Sequence, residues 1–149
     1  MEELKVPKKQ KIVELLLSGK DQKVKDYIIY LSHSSRLMTG EETIEEFLKH
    51  SLPFFPVTDL ETGQTVFINK NAIIFLREKE ETQAKHMNIL RVKLSNGYNE
   101  RITRFIPLPE FQTRPVDAFN TEEEYLIFLH EGKKIYINKA HIQSVVPED

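Results

Sequence analysis

Two lysines occupy the same place in a duplicated run of the chain, and they are the first side chains to which a chemistry attaches. Lys70 lies in Val66-Phe67-Ile68-Asn69-Lys70-Asn71-Ala72-Ile73 and Lys139 in Ile135-Tyr136-Ile137-Asn138-Lys139-Ala140-His141-Ile142, at a spacing of 69 residues. A repeated ammonium could meet a phosphate or a carboxylate, with His141 close to the second one as a further polar group. The same Asn-Lys pair is good turn chemistry, since asparagine tolerates φ > 0, and the turn accounts for the recurrence more simply. Arg36 and Arg114 also recur, each just ahead of an irregular connection. An arginine fork can grip a phosphate or an acidic partner. Glu46 and Asp117 recur with them, so internal ion pairs are the better reading.

Other groups point away from catalysis. The five histidines, His33, His50, His86, His130 and His141, show no metal spacing of the H-x-H or H-E-x-x-H kind. The chain has no cysteine, which excludes disulfides, thiolate catalysis and cysteine-based zinc sites. His33-Ser34-Ser35 sets hydroxyls beside a base, but a serine nucleophile needs an oriented base and an oxyanion site, and no Gly-x-Ser-x-Gly elbow occurs. Glu41-Glu42, Glu45-Glu46 and Glu122-Glu123-Glu124 read as solvated first turns or loop edges. There is no glycine-rich phosphate loop. The expectation is a protein that is not an enzyme, with no catalytic residue, no metal and no cofactor. Leu52-Pro53-Phe54-Phe55-Pro56-Val57 stands out instead as an apolar, aromatic stretch. With Phe47 from a preceding helix, Phe54 and Phe55 could form a partner groove of the kind that small peptide-binding modules use, although strand alternation buries one of the two and core packing is the simpler reading; Arg36 and Arg114 join them as candidate partner-binding residues.

The elements that would hold these residues repeat as well. Each half reads as a strand (12–17 or 89–94), a tight turn at Ser18-Gly19 or Ser95-Asn96-Gly97, and a second strand (24–31 or 100–106). A longer connection follows, then a third strand (54–58 or 125–129), a glycine turn, a fourth strand ending at Ile68 or Ile137, the Asn-Lys turn, and a fifth strand (72–76 or 141–146). Asn-Gly between apolar runs is the strongest short hairpin signal. In the first half the long connection carries Ile44, Phe47 and Leu48 at helical spacing behind Thr39-Gly40-Glu41-Glu42, a capping-box pattern, with Pro53 as the stop. Five short strands with a turn of helix before the last is the order of SH3-like and Sm-like barrels. The expected fold is therefore all-β: a tandem repeat of two small SH3/Sm-like barrels with a short α-helix inserted in the first. The boundaries are 11–77, a linker at 78–88, and 89–147. The expected core is Leu15, Ile28, Phe47, Phe67, Ile68 and Ile73 in one unit, and Val92, Leu94, Ile102, Phe119, Ile127 and Ile142 in the other.

Composition bounds the partners. The chain has 149 residues, 40 % hydrophobic and 30 % charged, with a net charge of −2. Thirteen cations face fourteen carboxylates up to Lys85 and eight face nine after it, so neither half is a basic body made for nucleic acid or an anionic membrane. The longest apolar run near the start, Ile12–Leu17, is broken by Glu14 and is too short for a membrane span or a signal segment. With no cysteine, a cytoplasmic protein is expected, with no membrane partner.

The run from Ile137 to Pro147 resembles the closing strand motif of the bacterial Sm-like RNA chaperones of the Hfq type. Lys139, Ile142, Val145, Val146 and Pro147 match, whereas Ala140 stands where that family has histidine, and His141 comes one position late. The resemblance covers about a tenth of the chain. It implies a small barrel and names Lys70, Lys139 and His141 as RNA-contacting candidates. If RNA were the ligand, Arg101 and Arg104 should cluster with the two lysines. Two readings follow. The leading one is a non-catalytic protein-interaction, scaffold or regulatory module of bacterial type, with a protein partner, in which a homodimer is left open. The other is an Sm-like RNA-binding protein.

Overall fold

The computed structural model describes residues 8–19, 23–32, 42–49, 53–82, 89–95, 97–103 and 119–148. Ten strands carry most of them: β1 (Lys8–Leu17), β2 (Lys25–Ser32), β3 (Phe54–Asp59), β4 (Thr65–Asn69), β5 (Ile73–Glu81), β6 (Ile89–Leu94), β7 (Asn99–Thr103), β8 (Tyr125–His130), β9 (Lys133–Asn138) and β10 (Ile142–Pro147). One helix, α1 (Ile44–Leu48), lies between β2 and β3. Every strand pairing is antiparallel. The order across the sheet is β10-β6-β7-β8-β9-β5-β1-β2-β3-β4. The five strands of each half stay together, and both halves have the same internal order, with the fifth strand beside the first and the fourth at the far end.

The all-β expectation holds, but two closed barrels are not what forms. The ten strands make one open sheet. Closing the first five would require β5 to pair with β4. Instead β5 has its second edge taken by β9, with Phe75 opposite Ile137, Leu76 opposite Tyr136 and Arg77 opposite Ile135. β5 is thus a central strand with cores on both faces. Ile73, Ile74, Phe75 and Leu76 are all buried, as expected of a strand covered on both sides. Ile73 and Leu76 belong to a cluster with Val13, Leu15, Ile29 and Leu48. Ile74 and Phe75 belong to a second cluster with Leu90, Val92, Ile102 and Ile135. Tyr136 crosses this seam: it sits on β9 but packs in the first cluster.

The expected core needs correcting at several positions. Leu15, Phe47, Ile68, Ile73, Val92, Leu94 and Ile102 are buried, but Phe67 is 71 % exposed. Strand alternation explains this, because Ile68 on the same strand points inward and its neighbour must point outward. On β2 the inward set is Tyr27, Ile29 and Leu31, which leaves Ile28 half-exposed. Phe119, Ile127 and Ile142 are half-buried at the margins of their clusters.

Local chemistry fixes the turns. Asn69 and Asn138 do not use left-handed backbone, having φ of −73° and −68°. Each caps a single 3₁₀ turn instead, its side-chain oxygen accepting from the backbone N–H of Asn71 at 2.9 Å or Ala140 at 3.0 Å. The helix cap is Thr43, whose hydroxyl accepts from Glu46 N at 3.1 Å while the Glu46 carboxylate reaches back. Thr39, the expected cap, lies outside the described residues. Glu131-Gly132 links β8 to β9 as a two-residue hairpin loop with φ of 53° and 80°, the left-handed pair of a type I′ turn. Glutamate is a poor residue there. Glu131→Asn is expected to stabilise the protein by about 1 kcal/mol, because asparagine tolerates that conformation; thermal denaturation followed by circular dichroism reads it. Among the described residues no helix is long and apolar enough to cross a membrane.

Candidate functional site

The apolar stretch around β3 divides into core and surface. Phe47 of α1 is buried and meets Phe55 edge to face, with ring centroids 4.7 Å apart and planes at 74°. Both belong to the packing of the first cluster. Phe54, on the opposite face of β3, is 54 % exposed. In the β3–β4 register Phe54 lies opposite Asn69 and Pro56 opposite Phe67. Directly opposed residues share a face, as do residues two apart on one strand. Phe54, Pro56 and Phe67 therefore form one exposed apolar strip, and it runs to β4, an end of the sheet. Phe67 is the residue that sequence reasoning misplaced. Val66-Phe67-Ile68 is apolar throughout, so the run does not itself show which side chain faces outward.

The other partner candidates, Arg36 and Arg114, lie outside the described residues. So do Arg104 and the side chain of Arg101, which leaves the basic cluster required of an RNA face outside the description.

The RNA candidates do have described surroundings, and each is engaged by the protein itself. Lys70 Nζ lies 3.6 Å from Glu124 Oε2 in a cleft of about 470 Å³ along the seam between α1 and the segment ahead of β8. Among the described residues four glutamates, Glu45, Glu122, Glu123 and Glu124, line this cleft against two cations, Lys49 and Lys70. Lys49 bridges Glu45 and Glu123 at 3.3 Å each. Partial burial acts to lower its pKa, but the Glu123 and Glu45 carboxylates outweigh this and hold it above the usual lysine value. Lys139 donates to the Thr121 carbonyl and lines a different cleft, beside β10. His141 Nε2 donates to the Asn71 carbonyl at 2.9 Å, and its Nδ1 lies 3.0 Å from Ser95 Oγ. The two lysines that the repeat equates thus sit in separate clefts.

Tyrosines lock the seam. The Tyr125 hydroxyl donates to the Lys70 carbonyl at 2.8 Å, and the Tyr136 hydroxyl donates to Glu78 Oε2 at 2.7 Å. Burial pushes both hydroxyls well above their ordinary value, with Glu124 adding to it for Tyr125 and Glu78 for Tyr136. They are held as proton donors. Further along the seam Arg77 joins Glu14 Oε2 at 2.6 Å and His130 Nδ1 at 2.6 Å, all three well shielded from solvent. Guanidinium only donates, so Nδ1 is the accepting nitrogen. Sequence reasoning did not single out Arg77, which stands in the polar second half of a strand and resembles a solvated residue there. Among the described residues no group of three His, Asp or Glu side chains is placed to hold a metal ion.

Comparison of the chain with protein-family models, with curated proteins and with solved structures gave no match in any of the three.

Proposed function

We propose that the chain is a non-catalytic protein-interaction module, whose two five-strand units serve as small SH3/Sm-like scaffolds and whose docking surface is the outer face and edge of the β3–β4 hairpin. The observation that carries this reading is the Phe54–Pro56–Phe67 strip running out to a strand at the end of the sheet. A contiguous apolar strip next to a strand edge suits a partner that adds main-chain hydrogen bonds and fills side-chain pockets. The charge of the molecule supports a protein partner over RNA. The net charge is negative, the seam cleft is rich in carboxylates, and Lys70, Lys139 and His141 spend their polar atoms on acceptors within the chain.

Affinity capture from the source cell, with and without nuclease, tests the reading. A protein partner should survive nuclease and be lost with Phe54→Lys/Phe67→Lys. A partner set unchanged by that double substitution overturns the docking surface. RNA binding through several cations would instead fall steeply with salt, by a log–log slope of roughly −0.7 per neutralised phosphate. Tight binding of that kind, abolished by Lys70→Ala/Lys139→Ala, would replace the protein reading with the RNA one.

A further inference from the structure

We infer that the partner at the β4 edge is a second copy of this chain, whose β10 adds to β4 as β9 adds to β5 within each copy. The inference rests on the protein-interaction reading above and names its partner.

The two ends of the sheet are complementary in kind. Within the chain, the seam joins the fifth strand of the first unit, β5, to the fourth strand of the second, β9. What remains at the ends is a fourth strand, β4, and a fifth strand, β10. Among the described residues each of these pairs on one side only. Unpaired edges are sites where another strand adds. Here the chain contains a worked example of the pairing that would satisfy both.

The side chains follow the same equivalence. Phe67 occupies the place of Tyr136 in the repeated run, and Phe54 occupies the place of Tyr125 at the head of the preceding strand. The two tyrosines lie at the seam; Tyr136 is only 5 % exposed, against 71 % for Phe67. The exposed aromatics are thus the counterparts of seam residues, left without a seam. The receiving surface is present too. Tyr136 packs in a cluster that includes Ile73 and Leu76, both fully buried. Their counterparts on β10, Ile142 and Val145, are only half-buried and border an open cleft of about 350 Å³ that also involves Phe119 and Pro147. A phenyl ring from a neighbouring copy would complete that cluster as Tyr136 completes the first.

One polar detail fits. The hydroxyl of Tyr136 needs an acceptor and has Glu78. At the place of Glu78, β10 has Pro147, and at the place of Tyr136, β4 has phenylalanine, which needs none. Transferring the observed register sets Val145 opposite Phe67, Ser144 opposite Ile68 and Val146 opposite Val66 of the next copy. The contact uses different surfaces on its two sides, so addition continues from copy to copy, giving a ring where the rotation closes and an open filament where it does not.

Light scattering on the eluted full chain is the first measurement. The expected mass is at least twice the 17.5 kDa of one chain, falling to the single-chain value in Phe67→Lys and in Val146→Lys. Both residues are exposed, at 71 % and 56 %, so these variants should keep the circular dichroism of the parent. The register is tested by oxidation, free of background because the chain has no cysteine. Phe67→Cys/Val145→Cys should give a covalent ladder of copies, and neither single variant should extend beyond a dimer. A single-chain mass at micromolar concentration, or an oligomer indifferent to both lysine substitutions, overturns the inference. If the wild type is a single chain yet Phe67→Lys abolishes capture of a different protein, only the identity of the partner fails. If capture is also unaffected, the docking surface itself fails.

Discussion

Replacing Arg77 with methionine is expected to destabilise the protein by about 3–5 kcal/mol. Arg77 lies on β5 with β1 on one side and β9 on the other. Its guanidinium holds Glu14 of β1 and His130 of β8, both 8 % exposed. Removing the cation leaves a carboxylate shielded from water without its counter-charge, which is the expensive way to break a buried pair. Removing both charges is a different matter. Arg77 Nε is buried with no hydrogen-bond partner among the described residues, so the cluster is incompletely satisfied even when intact. Glu14→Leu/Arg77→Met should therefore recover most of the loss, since well-packed apolar groups can replace a buried ion pair at little cost. Urea denaturation of the two single variants and the double variant measures the coupling. A single-variant effect within about 0.5 kcal/mol, the range of ordinary surface changes, would show that water reaches the cluster.

How much of this was legible in the sequence depends on what each residue answers to. The Asn-Lys turns were readable because they are local: Asn69 and Asn138 each bond to a backbone N–H two residues on. Their φ was not, because capping a 3₁₀ turn and adopting left-handed backbone are both asparagine habits. The strands and the all-β class followed from short apolar runs between turn residues. The seam did not. Whether β5 pairs with β4 or with β9 is a choice between two strands of one repeated pattern, Val66-Phe67-Ile68 and Ile135-Tyr136-Ile137, and nothing local decides it. The misplacement of Phe67 has the same origin. Three bulky apolar residues in a row suit a strand buried on both faces, which is the environment of β9. On β4 the same pattern meets a partner only on one face. Arg77 was passed over for a related reason, since a charged residue at the start of the polar stretch Arg77-Glu78-Lys79-Glu80-Glu81 looks solvated until β8 and β9 cover it.

Truncating Tyr136 should separate the two units as well as weaken them. The loss expected for Tyr136→Ala is about 3–5 kcal/mol, the range for removing a large aromatic side chain from a core. The ring belongs to the first cluster although its strand belongs to the second unit, and its hydroxyl donates to Glu78 on β5. No other β9 side chain is counted among the buried members of that cluster. Without it the seam retains β5·β9 backbone pairing, the Arg77 group and the Tyr125 contacts but loses its one fully inserted aromatic ring. The wild type should unfold in one transition, because β5 contributes to both cores and neither survives its loss. Tyr136→Ala should resolve two transitions, the lower one belonging to the unit less stable alone. Differential scanning calorimetry distinguishes the cases through the ratio of van't Hoff to calorimetric enthalpy. Phe67→Ala is the internal control. It makes the matching truncation at the matching place in the repeat, on a ring that is 71 % exposed within a single chain. At concentrations where the chain is a single copy it should leave the transition within about 0.5 kcal/mol of the parent. A cost for Phe67→Ala equal to that of Tyr136→Ala under those conditions would mean that β4 is covered by the chain's own residues. A single sharp transition in Tyr136→Ala would mean that the remaining seam contacts couple the halves without the Tyr136 ring.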